Sequence, residues 1–357
     1  MKNLDITYHI IGGGIAGLSC AYFIKQKNKN IKTVLYETSD HLGGRACSQW
    51  SQNFGKYLDN ALHVINASDK FMSRFIKDKE WMRQVSNFTF KDYDIQANSV
   101  ERNNELICIN KTEYLNQYRN KNNILNLLPF IKNRGKFWFS NQNFSQRIIN
   151  ILAAYVDEIY YEHKLQKIET QFGIAAQLKF NKTLVDIGAK DKVILALDNV
   201  SCNKLLGAFL LEHNQIINII YHTSQTIFFP QGTSFLKIDN GLVQGIFVKD
   251  NLLTAVISGS ECENKKLSNL AVDVWKEIDR IRGVNSGFMP SYEAIHYNYA
   301  YAKNSNENNQ KKPINALTKY SNVFIAGDWT MKNYLCCIET AVKSADRAVK
   351  TALKSAR

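Results

Sequence analysis

The chain has 357 residues, 45% of them hydrophobic, and its 45 Lys and Arg against 32 Asp and Glu give a net charge of +13. That length exceeds one typical core and implies two domains, while the lack of any apolar run near the roughly 20 residues of a bilayer span excludes a transmembrane helix. Seven cysteines scattered without a C-x-x-C pair exclude both a zinc site and a disulfide framework, so no metal is expected.

The first five residues lack the apolar region of a signal peptide, so the chain is expected in the cytoplasm. Residues 8–11 form an apolar strand that runs into Gly12-Gly13-Gly14-Ile15-Ala16-Gly17. Gly12, Gly14 and Gly17 fall on the G-x-G-x-x-G spacing of a dinucleotide site: the first allows the tight turn, the second lets backbone approach a pyrophosphate, and the third lets the helix lie close to the strand. Ile15 and Ala16 open that helix, whose free N–H groups and positive dipole end favour phosphate. Ile15, Leu18, Ala21, Tyr22 and Ile24 give it an apolar face. Residues 33–36 read as a second strand ending in Glu37, which is placed to accept from a ribose diol and to repel a 2′-phosphate, disfavouring NADP. The plainer alternative is a surface Glu after a strand.

Gly43-Gly44-Arg45 follows, then an apolar stretch at 56–66 that carries Asp59 and His63. A helix is expected at 144–155 and a strand at 159–168, and 173–180 should pair with 183–187 around an Asn-Lys turn. Residues 191–197 read as a buried parallel strand that returns to the nucleotide site. Residues 216–221, 226–229, 242–248 and 253–258 are β-rich and suit a second sheet, and 267–280 is an amphipathic helix. Tyr297, Tyr299 and Tyr301 alternate, which puts all three on one strand face, as a tunnel wall, an aromatic cage for a cationic amine or core packing. Residues 322–330 form a short strand ending in Gly327-Asp328, and a helix follows at 337–345 with Ile338 at its start. Strand, Gly-Asp and helix make a second ligand-facing turn; an ordinary buried strand with a capped helix is the alternative.

The basic residues are spread among asparagines, as at 25–30 and 119–123, with no aromatic-interleaved stripe. Nucleic acid is therefore not an expected partner. Solvated surface, or contact with an anionic membrane from its inner face, remains.

In this order, the glycine turn, Glu37, Gly43-Gly44-Arg45 and Gly327-Asp328 resemble the FAD-dependent amine oxidase and phytoene desaturase superfamily. Leu58-Asp59-Asn60-Ala61-Leu62-His63 is similar to the D-N-G-Q-H segment of its squalene-associated desaturases, the hydroxysqualene dehydroxylases, and Gly327-Asp328-Trp329-Thr330 with Ile338-Glu339 matches their G-D-W-T and I-E. The chain departs from them at Leu62, at Asn333-Tyr334-Leu335 where they have Gly-Leu-Pro, and in a shorter segment between His63 and Phe144.

The resemblance implies an α/β fold, a Rossmann-like FAD-binding domain (GR2-type) interleaved with a substrate domain of β-sheet plus helices. The first would take 1–66, 145–207 and 312–357, and the second 67–144 and 208–311. It implies FAD, with Gly43 and Gly44 beside the cofactor, Arg45 at its phosphates, Asp328 at the ribityl or pyrophosphate portion, and the last helix aimed at O2, where reduced flavin is negative. The implied function is that of an FAD-dependent oxidoreductase acting on a hydrophobic isoprenoid of the squalene or carotenoid-precursor type. His63 is the catalytic candidate, as an acid assisting departure of a hydroxyl, or else a structural His; Asp59 would orient it or cap a turn. A flavin amine oxidase would share every cofactor motif, and a prenyl-binding escort protein would share the fold without using flavin.

Overall fold

A computed structural model of the chain describes residues 6–60, 65–66, 85–87, 90–94, 99–101, 137–140, 144–224, 235–239, 241–249, 251–258, 265–303 and 305–355. Five parallel strands form its organising sheet, in the order Glu158–Tyr160, Lys32–Tyr36, Thr7–Ile11, Lys192–Leu195 and Val323–Ile325. Such a sheet is buried on both faces, which is why its strands read as nearly continuous apolar runs. The two-residue period sorts them: Tyr8, Ile10, Leu35, Ile194 and Phe324 point into one core, and Ile11, Val34, Val193, Leu195 and Ile325 into the other.

The first core is covered by helices Ile15–Lys27, Phe144–Ala153 and Ile338–Lys354. The last helix presents Ala341, Ala345, Ala348 and Ala352 to it, and these short side chains allow close packing. The first helix differs from the one-faced amphipathic helix its sequence predicts: residues 15–21, Phe23 and Ile24 are all buried, because it is enclosed by the sheet on one side and two helices on the other. The second core is covered by the antiparallel strands Leu165–Gln171, Ile174–Phe180 and Leu184–Asp186 and by helix Asn199–Leu206.

The strand expected over 159–168 is two strands. After Tyr160 the chain folds back across the end of Lys32–Tyr36, with the Glu162 N–H on the Ser39 carbonyl and the His163 N–H on the Glu37 carbonyl, and Glu162 takes a positive φ of 56° in that bend. The 173–180 and 183–187 pairing holds, closed by the Phe180 N–H on the Thr183 carbonyl.

A second sheet of seven strands runs in the order Ser291–Ala302, His213–His222, Leu252–Ser258, Gly245–Lys249, Phe235–Asp239, Phe90–Asp94 and Ser99–Glu101, antiparallel except where Phe90–Asp94 joins it. Helix Leu267–Arg282 lies on one face, packing Leu270, Val274, Trp275 and Ile278 against Ile217, Ile219 and Tyr221. The buried Tyr221 hydroxyl donates to the Ala271 carbonyl at 2.6 Å. On the opposite face Ile220 meets Phe54 and Leu58 of the hairpin Ser48–Ser51 and Lys56–Asp59. Residues 226–229, expected as a strand, lie outside the described residues.

The first strand sits at the centre of the parallel sheet, and the chain leaves it in one direction before 160 and in the other after 190. The crevice outside the carboxyl ends of Thr7–Ile11 and Lys192–Leu195 is therefore the switch point at which open α/β sheets take ligands. Gly17 fixes the helix against it, since a Cβ there would overlap the Gly12 carbonyl oxygen and sit 3.3 Å from the Ala196 side chain. Gly17→Ala is expected to destabilise the protein by about 3 kcal/mol or more, the range for strain against immovable backbone. Urea unfolding of the purified variant measures this, and a midpoint equal to that of the parent protein would refute it.

Candidate cofactor site

Two glycine turns lie side by side at the switch point. Gly12 has φ +107°, and a Cβ on it would come 2.5 Å from the Ala196 carbonyl oxygen. Gly43, at φ +108°, donates its N–H to the Gly13 carbonyl at 2.8 Å, and Gly43 and Gly14 pair as a parallel bridge. A side chain on Gly43 would run into Ile149 and Cys47, so only glycine lets the second turn lie this close. Gly14 is different in kind. A Cβ there would meet nothing within 4 Å. Space is left open where the motif requires a phosphate to pass, directly before the helix that begins at Ile15 and Ala16 with no side chain capping it.

Glu37 is buried at the end of the second strand, as its position after residues 33–36 implies. One oxygen accepts from the Gly13 N–H at 2.6 Å and the other from the Ser39 N–H at 2.8 Å. The carboxylate is thus tied to the glycine turn, and with two lone pairs on each oxygen it keeps acceptor capacity for a ribose hydroxyl.

Arg45 reaches from the second glycine turn to the far end of the chain. Its guanidinium donates to Asp328 Oδ1 at 2.9 Å and to the Ala300 carbonyl. Asp328 is buried, and its charge holds Arg45 more firmly protonated. The same Oδ1 accepts from the Trp329 N–H at 2.9 Å. Gly327, at φ +143°, is locked on both sides, its N–H on Ser344 Oγ of the last helix at 2.8 Å and its carbonyl accepting from Thr330 Oγ1 at 2.7 Å. Trp329 Nε1 donates to the Leu197 carbonyl at 2.9 Å, which ties this turn to the strand beside the first. Ile338 opens the last helix half-buried against the first core, and no side chain caps Cys337 before it. The twelve residues from Gly12 to Ile338 that the sequence offers for a cofactor thus fall at two glycine turns joined by a backbone bond, the strand end at Glu37, and a third turn and helix joined to them by the Arg45–Asp328 pair.

Beside that pair lies a cleft lined by Asp198, His213, Tyr299, Tyr301 and Trp329. Burial lowers the affinity of His213 for a proton. The three alternating tyrosines do not share it. The pairing of Asn214 with Tyr301 and of Ile216 with Tyr297 sets one residue opposite three, so the strand bulges at 298–300 while Tyr297 and Tyr301 keep partners two residues apart. Tyr299 and Tyr301 enter the cleft, while the Tyr297 hydroxyl takes a bond from Asn60, and burial pushes its pKa up to about 12.

Sequence reasoning passes over Asn60. It is fully buried, its Nδ2 donates to the Arg45 carbonyl at 3.2 Å, and its own carbonyl and Oδ1 accept from Asn218 Nδ2 at 2.5 and 3.0 Å. Asn218, the one amide within the apolar run 216–221, is the signal that could have found it. Asp59 accepts from Ser48 at 2.6 Å and Lys249 at 2.7 Å, so it fastens the hairpin to the second sheet. His63 lies outside the described residues. The described cysteines are free, and burial raises the Cys336 pKa to about 12, which fits a packing residue. No group of ligating side chains that could hold a metal occurs among the described residues.

Comparison with known proteins bears on the same two ends of the chain. Residues 10–78 match the NAD(P)-binding Rossmann-like domain and residues 265–353 the flavin containing amine oxidoreductase family. A hydroxysqualene dehydroxylase of Zymomonas mobilis is 22% identical over 97% of this chain and 98% of its own. A second, from Rhodopseudomonas palustris, is 26% identical over 58% of this chain and 49% of the relative. The solved structure of a putrescine oxidase double mutant superposes with a TM-score of 0.72 over 98% of this chain and all of that one, at 11% identity, which establishes likeness of fold. Both ends of the chain are thus similar to known families, the far one to the flavin containing amine oxidoreductases, and 97% of its length is similar to a hydroxysqualene dehydroxylase.

The open space at Gly14 separates binding from folding. Gly14→Val puts a branched side chain where the pyrophosphate would run and where the protein itself has no atom to strike. The variant is expected to unfold at nearly the parent temperature and to be purified without flavin. Stoichiometric flavin in Gly14→Val, read from its absorption bands, would take this turn out of the cofactor site.

Proposed function

We propose that this chain is an FAD-dependent oxidoreductase acting on a hydrophobic isoprenoid, of squalene or carotenoid-precursor type, by desaturase- or dehydroxylase-like chemistry. The observation that carries the cofactor assignment is the cradle at Gly14, open between two glycine turns and backed by Glu37. FAD in particular is favoured because a nucleotide cradle at one end and a Gly-Asp turn at the other suit a two-part cofactor, with the adenosine ribose at Glu37 and the flavin half toward Asp328. The division into a cofactor domain of 1–66, 145–207 and 312–357 and a substrate domain of 67–144 and 208–311 belongs to the same reading. So does a cytoplasmic location with peripheral contact to membrane.

A bound flavin supplies hydride-level redox chemistry at N5. The chain's own residues do the rest. Gly12 and Gly14 give backbone approach, and the N-termini of helices Ile15–Lys27 and Ile338–Lys354 supply positive potential to phosphate and to the O2 side of the ring. Arg45 and Asp328, paired from distant parts of the chain, would hold the phosphate and ribityl portions of the cofactor. If a hydroxyl is to leave carbon as water, a proton must reach its oxygen, and His63 is the residue proposed to carry it. The isoprenoid class is proposed by analogy with the dehydroxylase that aligns along 97% of the chain.

Amine oxidation is the second reading. The cleft that holds Tyr299 and Tyr301 beside the carboxylates of Asp198 and Asp328 has the aromatic and anionic groups that a cationic amine would use. A prenyl-binding protein without flavin is disfavoured by the intact glycine turns backed by Glu37.

Purified protein is expected to be yellow and to release FAD on denaturation, identified by chromatography; a colourless protein that takes up no added FAD would sink the cofactor assignment. Turnover with squalene-type alcohols, carotenoid precursors and polyamines, followed anaerobically through the flavin spectrum, then chooses between the readings. With the productive substrate, His63→Gln is expected to keep FAD and to lose about 10²–10⁴ in rate, the range for a missing acid. Normal turnover in that variant would remove His63 from the chemistry.

A further inference from the structure

The hairpin joining Leu165–Gln171 to Ile174–Phe180 ends in a feature that the redox reading does not use. Its two-residue loop is Phe172-Gly173, with φ of 50° and 77°. Two positive φ angles are the geometry of a type I′ turn, which suits Asn-Gly. Phenylalanine is out of place there, since a bulky L residue at positive φ is strained. Nor does packing offset the strain, because the side chain is as exposed as in an open chain, at 102%. A residue kept in a costly conformation with no contact inside the protein points to something outside it.

The surroundings narrow that contact. Ile174 beside it is exposed, and the Ser321 N–H on the Gly173 carbonyl at 3.1 Å sets the turn at 318–322 against the hairpin, with exposed Leu317 at its base. Lys319 in that turn is exposed, lies over the Tyr320 ring, and donates to the Leu206 carbonyl at 3.0 Å. Lys204 is exposed on the helix that ends at Leu206. Glu169, an acid on the same hairpin, is paired with Lys167 at 2.7 Å. A few apolar side chains on a convex tip offer far less area than a stable protein interface needs. They suit a bilayer, where an aromatic side chain enters the headgroup boundary while lysines meet phosphate, and the net charge of +13 favours an anionic one. The tip adjoins Asn322, at the amino end of strand Val323–Ile325, whereas Gly327 and the cofactor turns lie past its carboxyl end.

We infer that the Phe172-Gly173 tip is a docking point by which the protein rests reversibly on membranes carrying anionic headgroups. Neither flavin nor substrate enters the test, so its outcome is independent of the redox reading. The purified protein is sedimented with vesicles of phosphatidylcholine and phosphatidylserine at low salt. It is expected to bind, to release as salt screens the contact, and to bind vesicles of phosphatidylcholine alone far less. Phe172→Asn, which suits the positive φ, is expected to melt no lower than the parent and to partition about tenfold more weakly, the loss of one partly buried aromatic side chain. Phe172→Trp is expected to add a fluorescence that shifts to the blue on binding and is quenched by brominated lipid. Failure of the parent protein to bind anionic vesicles overturns the inference. So does equal partitioning of Phe172→Asn, a tryptophan signal that does not move while the protein is bound, or vesicle-free self-association that Phe172→Asn abolishes, which would assign the tip to a second copy of the chain.

Discussion

The hydrogen bond from the Gly43 N–H to the Gly13 carbonyl is the contact on which the site depends. It can form only because two backbones approach where neither carries a side chain, and the cost of Gly12, Gly13, Gly14, Gly43 and Gly44 in the two turns is conformational entropy that the surrounding cores must offset. With it in place, Gly44 stands beside Gly14 and the next residue, Arg45, leaves the turn toward Asp328, past the carboxyl end of the edge strand Val323–Ile325. Without it, Arg45 would have no fixed origin and Asp328 would be a buried carboxylate lacking its cation, an unfavourable state. A local backbone constraint thus sets a long-range ion pair, and the pair joins residues that are almost the whole chain apart.

The two sheets are coupled by a different kind of contact. Asn60 receives Asn218 from the antiparallel sheet, donates to Tyr297 of the same sheet, and donates to the Arg45 carbonyl. All three partners are polar groups in otherwise apolar surroundings, so each would be costly if left alone, and together they specify one relative placement of hairpin and sheet. Asp59 adds a charged tie to Lys249 beside it. The place where the antiparallel sheet meets the second glycine turn is therefore fixed by uncharged amides and by a carboxylate held against its own cation.

What could be read from the sequence follows from how local each signal is. The parallel strands at 8–11, 33–36 and 191–197 were legible because burial on both faces leaves continuous apolar runs, and the cofactor turns were legible because the steric demands at Gly12, Gly17 and Gly43 are absolute. Glu37 could be placed for the same reason. The bend at 161–164 was not legible, since it is made by backbone bonds to residues 37 and 39 rather than by Gly or Pro. That Tyr299 and Tyr301 line the cleft while Tyr297 bonds Asn60 was not legible, since the bulge against His213–His222 is a property of two strands, invisible in one. The first helix showed an apolar face and hid that its other side is covered by Ile338–Lys354, a packing decided more than 300 residues later.

Asn60 also changes the weight of the motif in which it stands. The likeness of Asp59-Asn60 with His63 to the dehydroxylase segment invites a chemical explanation for all three residues at once. Yet Asp59 and Asn60 have full structural occupations, one in the tie to Lys249 and Ser48 and the other in the knot with Asn218, Tyr297 and the Arg45 carbonyl. Selection for the joint between hairpin and sheet is enough to keep those two residues, so their presence adds nothing to the case for proton transfer at His63. That case has to stand on the imidazole alone. The glycine turns rest on contacts of another kind, because Gly43 and Glu37 both bond the Gly13 backbone and Arg45 then pairs with Asp328, and these bonds tie residues that no local packing would bring together.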